Sequence, residues 1–262
     1  MWACTVRNCG LPLTLDERRA HCPSGHAFDR ARQGYINLLQ PQDRRSLQPG
    51  DSPEIVAARA RHVARGLTDP ILDAIVSLNL PGPIVDVGAG EGALVRRLGA
   101  SGFDLSPAAM ATAARTAPSL TFVVANADRR WPLLDGSVGS ITAVNARVDG
   151  VEARRVLRPD GRVVLAVAGT DDLDGLRTAA LGAAPDRPRL DGWVERLRPH
   201  FELQATKHVA VRVTLDEAAA RDVLIATWRG RHGPLSRASE AGAIETTLSW
   251  DLAVFAAAQP RG

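Results

Sequence analysis

Three cysteines and a histidine at metal-ligand spacing, Cys4, Cys9, Cys22 and His26, lie at the start of the sequence, and the chain has no other cysteine. Cys4 and Cys9 bracket Thr-Val-Arg-Asn, Cys22 and His26 bracket Pro-Ser-Gly, and twelve residues separate the two pairs. Two short knuckles on opposite arms of a hairpin can bring three thiolates and one imidazole to a single tetrahedral ion, a donor set that suits Zn2+. Four protein ligands leave no open coordination position, so the expected role is structural. A segment this small has little core of its own, and bound metal would supply much of its folding free energy. The competing reading is three buried free cysteines and a surface histidine, and the clustering speaks against it. His21 is a rival fourth ligand, geometrically poorer because it adjoins Cys22.

A second constellation begins with the short apolar run Ile84-Val85-Asp86-Val87, which reads as a buried parallel strand. Gly88-Ala89-Gly90-Glu91-Gly92 follows, and residues 93–98 can form a helix. Strand, glycine loop and helix make the first unit of a doubly wound sheet. The glycines let the backbone turn sharply and approach a ligand closely. Asp104, in Gly102-Phe103-Asp104-Leu105-Ser106, falls at the expected end of the next strand, where a carboxylate can take both hydroxyls of a ribose. A dinucleotide pyrophosphate is one candidate ligand. Asp86 argues against it, because an acid there repels phosphate but suits the ammonium and sulfonium of S-adenosylmethionine.

The elements that must position these groups fit an ordinary globular chain. There are 262 residues, 45% apolar and 23% charged, which is enough apolar surface for a core and room for one large domain with a small attachment. Apolar runs such as 163–168 fall far short of the ~20 residues of a membrane span. Met1-Trp2-Ala3-Cys4 lacks the basic start of a secretory signal, so a cytoplasmic protein is expected. Strands are expected over 121–125, 140–145 and 162–168, a helix over 151–157 and a turn at 158–161. Further helices are expected over 171–181 and 191–197. Two alternating stretches, 201–215 and 244–258, read as an antiparallel edge hairpin. The alternation predicts a mostly parallel sheet.

Net charge is +3, and Lys207 is the one lysine among 32 cations. Arginine's planar fork suits phosphate, although a GC-rich genome gives the same bias. Arg7, Arg18, Arg19, Arg30, Arg32, Arg44, Arg45 and Arg59 make the first quarter of the chain rich in candidate phosphate contacts. A solvated face is the alternative. Ser52-Pro53 opens a helix, with serine as the cap, that stops near Gly66. Trp228, beside Arg229 and Arg231, could stack on a flipped base while the arginines hold phosphates, or could be a core tryptophan.

Together these stretches resemble the bacterial 23S rRNA (guanine-N1)-methyltransferases, macrolide-resistance members included. The resemblance runs nearly the whole length. Its most specific parts are Cys22-Pro-Ser-Gly-His26-Ala-Phe28-Asp29 with Gln33-Gly34-Tyr35-Ile36-Asn37-Leu38-Leu39, and Pro49-Gly50-Asp51-Ser52 followed by Ala58-Arg59. It implies a zinc-binding RNA-recognition module over 1–38, a linker and connecting helix over 39–66, and a class I (Rossmann-like) α/β methyltransferase domain over 67–262. The implied substrate is a guanine of 23S rRNA, with homodimer formation and resistance to a ribosome-targeting antibiotic as further expectations. Cys4, Cys9, Cys22 and His26 would bind zinc. Thr68, Asp86, Gly88, Ala89, Gly90, Glu91, Asp104, Leu105, Asn126, Ala127 and Asn145 would surround S-adenosylmethionine.

The chain departs from the family where cofactor and target base should meet. Gly66-Leu67-Thr68 replaces Gly-His-Tyr, Asn145-Ala146-Arg147 replaces an aromatic-Ala-Pro motif, and Ala168-Gly169-Thr170-Asp171-Asp172 replaces Thr-Pro with a following histidine. The segment from Gly92 to Asp104 is also shorter than usual. Guanine N1 carries a proton that some group must accept. Asn145 could orient a base edge but is no strong base, leaving Asp149 and Asp172 as candidate acceptors or ordinary loop carboxylates. Two other functions compete: a small-molecule methyltransferase with the N-terminal module as a lid, and a non-catalytic RNA- or ribosome-binding protein that has kept the fold.

Overall fold

In the computed structural model, which describes residues 1–43, 49–181, 189–227 and 242–258, the expected alternation of strands and helices folds into one large sheet and one small one. The small sheet is antiparallel, with β1 (Thr14–Leu15), β2 (Arg19–His21) and β3 (Ala27–Asp29) side by side. Next come β4 (Ile36–Asn37), α1 (Pro53–Ala64) and α2 (Asp69–Val76). The main body then runs β5 (Ile84–Val87), α3 (Ala93–Leu98), β6 (Ser101–Asp104), α4 (Pro107–Thr116), β7 (Phe122–Val124), β8 (Val138–Val144), α5 (Gly150–Val156) and β9 (Leu157–Ala168). It ends with α6 (Asp174–Leu181), α7 (Leu190–Leu197), β10 (Phe201–Leu215), α8 (Glu217–Ala226) and β11 (Ile244–Ala257).

The large sheet has the order β10-β11-β9-β8-β5-β6-β7-β4. Pairing from β4 to β9 is parallel, and β11 runs antiparallel to both of its neighbours. Such a sheet is covered on both faces, so its strands are nearly continuous apolar runs: β7 is buried throughout, and β8 in all but its last residue. Ser52 caps α1 as expected, its hydroxyl accepting the Ile55 N–H at 3.4 Å.

Three expectations need correction. The stretches 201–215 and 244–257 do pair antiparallel, but not as a hairpin: α8 lies between them in sequence, and β11 inserts between β9 and β10. The turn at 158–161 is a bulge inside β9, because Val138 faces Leu157 and Ser140 faces Arg162. The helix expected from 171 starts at Asp174, because Leu173 sits in the left-handed region at φ +58°.

The N-terminal segment is not a separate lobe. β4 extends the main sheet beside β7, and Trp2 bridges Leu133 while the Ala3 N–H donates to the Pro132 carbonyl. Trp2, Cys4, Leu13, Ala20 and Cys22 share a core with Val85, Phe103 and Trp131. Across the molecule, Arg61 of α1 and Arg65, which caps it, both bind Asp222 of α8, with contacts of 2.6 Å. The linker helix is thereby clamped to the main body.

Candidate functional site

The metal site is built by two turns. Gly10 and Gly25, at φ +67° and +82°, close the knuckles after Cys9 and Cys22, and the Cys9 N–H donates to the Val6 carbonyl while the Gly25 N–H donates to that of Cys22. The four ligand atoms of Cys4, Cys9, Cys22 and His26 lie within 4.8 Å of one another. Cys9 Sγ is 3.8 Å from Cys22 Sγ, and His26 Nδ1 is 3.5 and 3.4 Å from the sulfurs of Cys4 and Cys22. A tetrahedron with Zn–S of about 2.3 Å has edges of about 3.8 Å, so the four groups fit zinc. Burial pushes the Cys4 thiol up to about 12. Burial also opposes charge on Cys22, but the backbone N–H groups of His26 and Ser24, with the Cys9 and Cys4 thiols, bring it down to about 7. Without a cation, thiols packed this closely cannot all ionise. His21 is elsewhere, with Nδ1 3.6 Å from Asp16 Oδ2.

The second site is a cavity of about 680 Å3 at the carboxyl ends of the parallel strands, where sheets of this kind bind ligands. Its floor is the loop after β5. A Cβ on Gly88 would lie 2.5 Å from the Ala146 Cβ, so this turn admits no side chain. Asp104 Oδ2 accepts the Gly90 N–H at 3.1 Å, and its Oδ1 accepts that of Ser106 at 2.8 Å. A carboxylate has about four lone-pair sites, so each oxygen keeps one for a ligand hydroxyl.

Three buried polar atoms on cavity-lining residues have no partner among the described residues: Thr68 Oγ1, Glu91 Oε2 and His62 Nδ1. Unsatisfied buried groups cost about 1–3 kcal/mol each, and a polar ligand would relieve them. The electrostatics agree. Burial raises the Asp86 carboxyl to about 7, against the Thr142 hydroxyl that donates to it at 2.6 Å. Glu91 and Asp104 are raised for the same reason. Burial and the nearby Arg65 guanidinium push His62 down to about 4, so its ring is neutral. A buried acidic pocket of this kind favours a cationic ligand.

Thr68, Asp86, Gly88, Ala89, Gly90, Glu91, Asp104 and Asn145 all line the cavity, as does Asp172. Leu105, Asn126 and Ala127 are on the adjoining strand ends and do not line it; Asn126 Oδ1 accepts the Asp128 N–H at 2.9 Å. Asp149 is a helix cap: one oxygen takes the N–H groups of Val151 and Glu152 at 2.9 and 3.0 Å. It does not line the cavity, which sets it apart from Asp172 as a candidate base. Arg59 lines the cavity. It pairs with Asp51 at 2.7 Å and packs 3.3 Å from where a Gly90 Cβ would be. Arg30 donates to the carbonyls of Asp16 and Gly34 and props the turn before β4. Arg7, Arg18, Arg19 and Arg32 are exposed. Arg44, Arg45, Trp228, Arg229 and Arg231 lie outside the described residues.

Sequence reasoning missed several lining residues: Asp51, His62, Arg147, Trp193 and Trp250. The signal for Asp51 was present in Pro49-Gly50-Asp51-Ser52. Gly50, at φ +76°, lets that turn press on Ser106, whose hydroxyl donates to the Asp51 carbonyl at 2.7 Å. The supposed linker is therefore a wall of the cavity.

Comparison with known proteins bears on both sites. A family model described as "RlmA, N-terminal", a zinc ribbon, matches residues 3–47, and one described as "Methyltransferase domain" matches residues 85–165. The chain is 32% identical to the 23S rRNA (guanine(748)-N(1))-methyltransferase of Streptomyces fradiae, over 92% of each chain. It is 34% identical to a Micromonospora griseorubida protein described as a candidate 23S rRNA guanine-N1-methyltransferase, over 74% of this chain and 75% of that one. Among solved structures, a chain from work on the conversion of a disulfide bond into a thioacetal group during echinomycin biosynthesis matches with TM-score 0.51. It is 16% identical, over 74% of this chain and 83% of its own. A Bacillus halodurans protein described as a candidate methyltransferase matches at 0.50 and 15% identity, over 70% and 97%. These structural likenesses speak to fold alone. Identity over nearly the full length, with the ribbon and the cofactor domain in the same order, places the chain in the family of 23S rRNA (guanine-N1)-methyltransferases, which join a zinc ribbon to an S-adenosylmethionine-dependent domain.

Proposed function

We propose that the protein methylates N1 of a guanine in 23S rRNA, with the ribbon engaging the RNA and the cavity holding cofactor and target base. One observation carries this reading: the ribbon's small sheet runs directly into β4, and β4 pairs with β7 in the main sheet, two strands from β5 and the cavity floor. RNA held on the exposed arginines Arg7, Arg18, Arg19 and Arg32 is thus fixed relative to the cavity. A small substrate has no need of such a surface.

S-adenosylmethionine supplies an activated methyl group, and the protein mainly aligns the attack on it. Asp104 would take the ribose hydroxyls, and the backbone of Gly88, Ala89 and Gly90 would allow the ligand close. Leu105, Asn126 and Ala127, on the strand ends beside Asp104 and outside the cavity wall, would flank the adenine where it extends past Asp104 beyond the cavity. Asp86, Glu91 and Thr68 would hold the cationic amino-acid end, leaving the termini of β8 and β9, with Asn145 and Asp172, for the guanine. Zinc has no chemical step here and keeps the ribbon folded. β10 is the terminal strand of the sheet, and its outer edge is the surface we assign to homodimer pairing; sedimentation of the β10 variant Val211→Pro against wild type tests this.

The function is tested by incubating unmodified 23S rRNA with the protein and S-adenosylmethionine and digesting the product to nucleosides. 1-Methylguanosine is the expected new species. A different methylated nucleoside would contradict the target atom, and no methylation would contradict the function. Guanine 748, named for the Streptomyces fradiae relative, is the first position to examine. Raised drug tolerance of ribosomes methylated there would extend the proposal to resistance.

A further inference from the structure

The turn after β9 is organised around one carboxylate. Asp172 lines the cavity with Asn145, and Asn145 Oδ1 accepts the Ala168 N–H at 2.9 Å, which ties the ends of β8 and β9 together. The turn is then fastened to β11 residue by residue. The Ser249 N–H donates to Asp172 Oδ1 at 3.1 Å, and the Ser249 hydroxyl donates to Asp171 Oδ1 at 2.5 Å. Leu173, strained at φ +58°, donates its N–H to the Thr247 carbonyl at 2.6 Å. Behind Asp171 stands His208, with Nε2 3.6 Å from Asp171 Oδ1 and Nδ1 2.8 Å from Asp251 Oδ1. Gly169 completes the packing, because a Cβ there would lie 2.4 Å from Ser249 Oγ and 3.1 Å from His208 Cε1. Backbone strain held by this many contacts is characteristic of a working part.

We propose that Asp172 reads the Watson–Crick edge of the target guanine and accepts its N1 proton, with Ser249, Asp171 and His208 as its positioning set. This rests on the methyltransferase reading above. Guanine presents N1–H and an N2 amino hydrogen side by side, and an ionised carboxylate offers two acceptor oxygens and no donor. Adenine presents a lone pair at N1 and would be repelled. As the N1 lone pair bonds to the methyl carbon, the carbon–sulfur bond breaks and its electron pair stays on sulfur. The N1 proton passes to Asp172. Guanine, a sulfonium cation and a carboxylate anion thus become 1-methylguanine, a thioether and a carboxylic acid, and the charges balance.

The test uses the full chain, 23S rRNA and S-adenosylmethionine, with cofactor affinity measured calorimetrically on the same preparations. Asp172→Asn should lower kcat by about 100-fold or more and leave cofactor affinity within about threefold. Asp172→Glu should recover part of the loss. Ser249→Ala should lower kcat by roughly three- to tenfold in the wild-type background and change nothing in the Asp172→Asn background, the non-additivity expected of groups acting through one another. Equal effects in both backgrounds would overturn the positioning role. An active wild type with an Asp172→Asn variant of similar rate would overturn this proposal alone, whereas a wild type that makes no 1-methylguanosine would overturn it together with the reading it rests on.

Discussion

The zinc ribbon and the cofactor cavity are both polar constructions that a guest completes, but they are assembled in opposite ways. The ribbon draws its four ligands from 23 consecutive residues and aims them at one point. Nothing is left over for a substrate, so its guest is permanent and structural. The cavity draws its walls from Asp51 to Trp250 and leaves Thr68, Glu91 and His62 each with a buried atom that has no partner among the described residues. Its guest must come and go. Local convergence therefore marks the part that holds shape, and long-range convergence with unmet polar groups marks the part that works.

The largest effect should come from breaking the ribbon. Structural zinc contributes about 10–16 kcal/mol of apparent binding energy in small zinc-finger peptides. Chelation, or Cys22→Ser, should abolish amide-exchange protection over β1 to β3 and eliminate RNA binding. Cofactor affinity, read by calorimetry, should change little. If cofactor binding collapses as well, the shared core around Trp2 and Phe103 makes the two regions one cooperative unit, and the contrast drawn here fails.

A smaller loss is expected within the cavity. Asp104→Ala removes charge-assisted contacts of about 1.5–3 kcal/mol, which weakens S-adenosylmethionine by roughly 10- to 150-fold while zinc content, measured by atomic absorption, stays at one per chain. Next is pH. The Asp86 carboxyl sits at about 7 instead of its ordinary 3.8, so the empty folded protein holds a proton between those values that the unfolded chain has lost. Folding stability from this group therefore falls as pH rises through that window. A bound cation favours the charged form, so cofactor binding expels the proton. Affinity should weaken as pH falls below about 7, by up to about tenfold per unit, and Asp86→Asn should flatten that slope in a calorimetric series. The smallest effect belongs to a single exposed arginine of the ribbon. Arg18→Ala should weaken RNA binding slightly and reduce the salt slope by about one phosphate contact, with no change in cofactor affinity.

What the sequence disclosed follows the same division. The zinc ligands, the glycine loop and the Ser52 cap were legible because each is set by residues a few positions apart. The placement of Asp51 and Arg59 was not, since it depends on Gly50 pressing on Ser106, 56 residues away. Nor could pattern reveal that β11 enters between β9 and β10, because that pairing is non-local. Asp149 was readable as a cap, standing just before Gly150 at the head of α5; its type alone made it resemble a base. Asp172 could not be told from Asp149 by type, and the fold separates them by placing Asp172 on the cavity wall with its turn fastened to Ser249.

The most direct test of the central claim is primer extension on 23S rRNA incubated with the protein and S-adenosylmethionine. A methyl group on N1 blocks the Watson–Crick edge, so the account predicts a cofactor-dependent stop one nucleotide before a single guanine, lost when Cys22 is replaced. Incorporation of methyl without any stop, or no incorporation into either naked RNA or intact subunits, would contradict it.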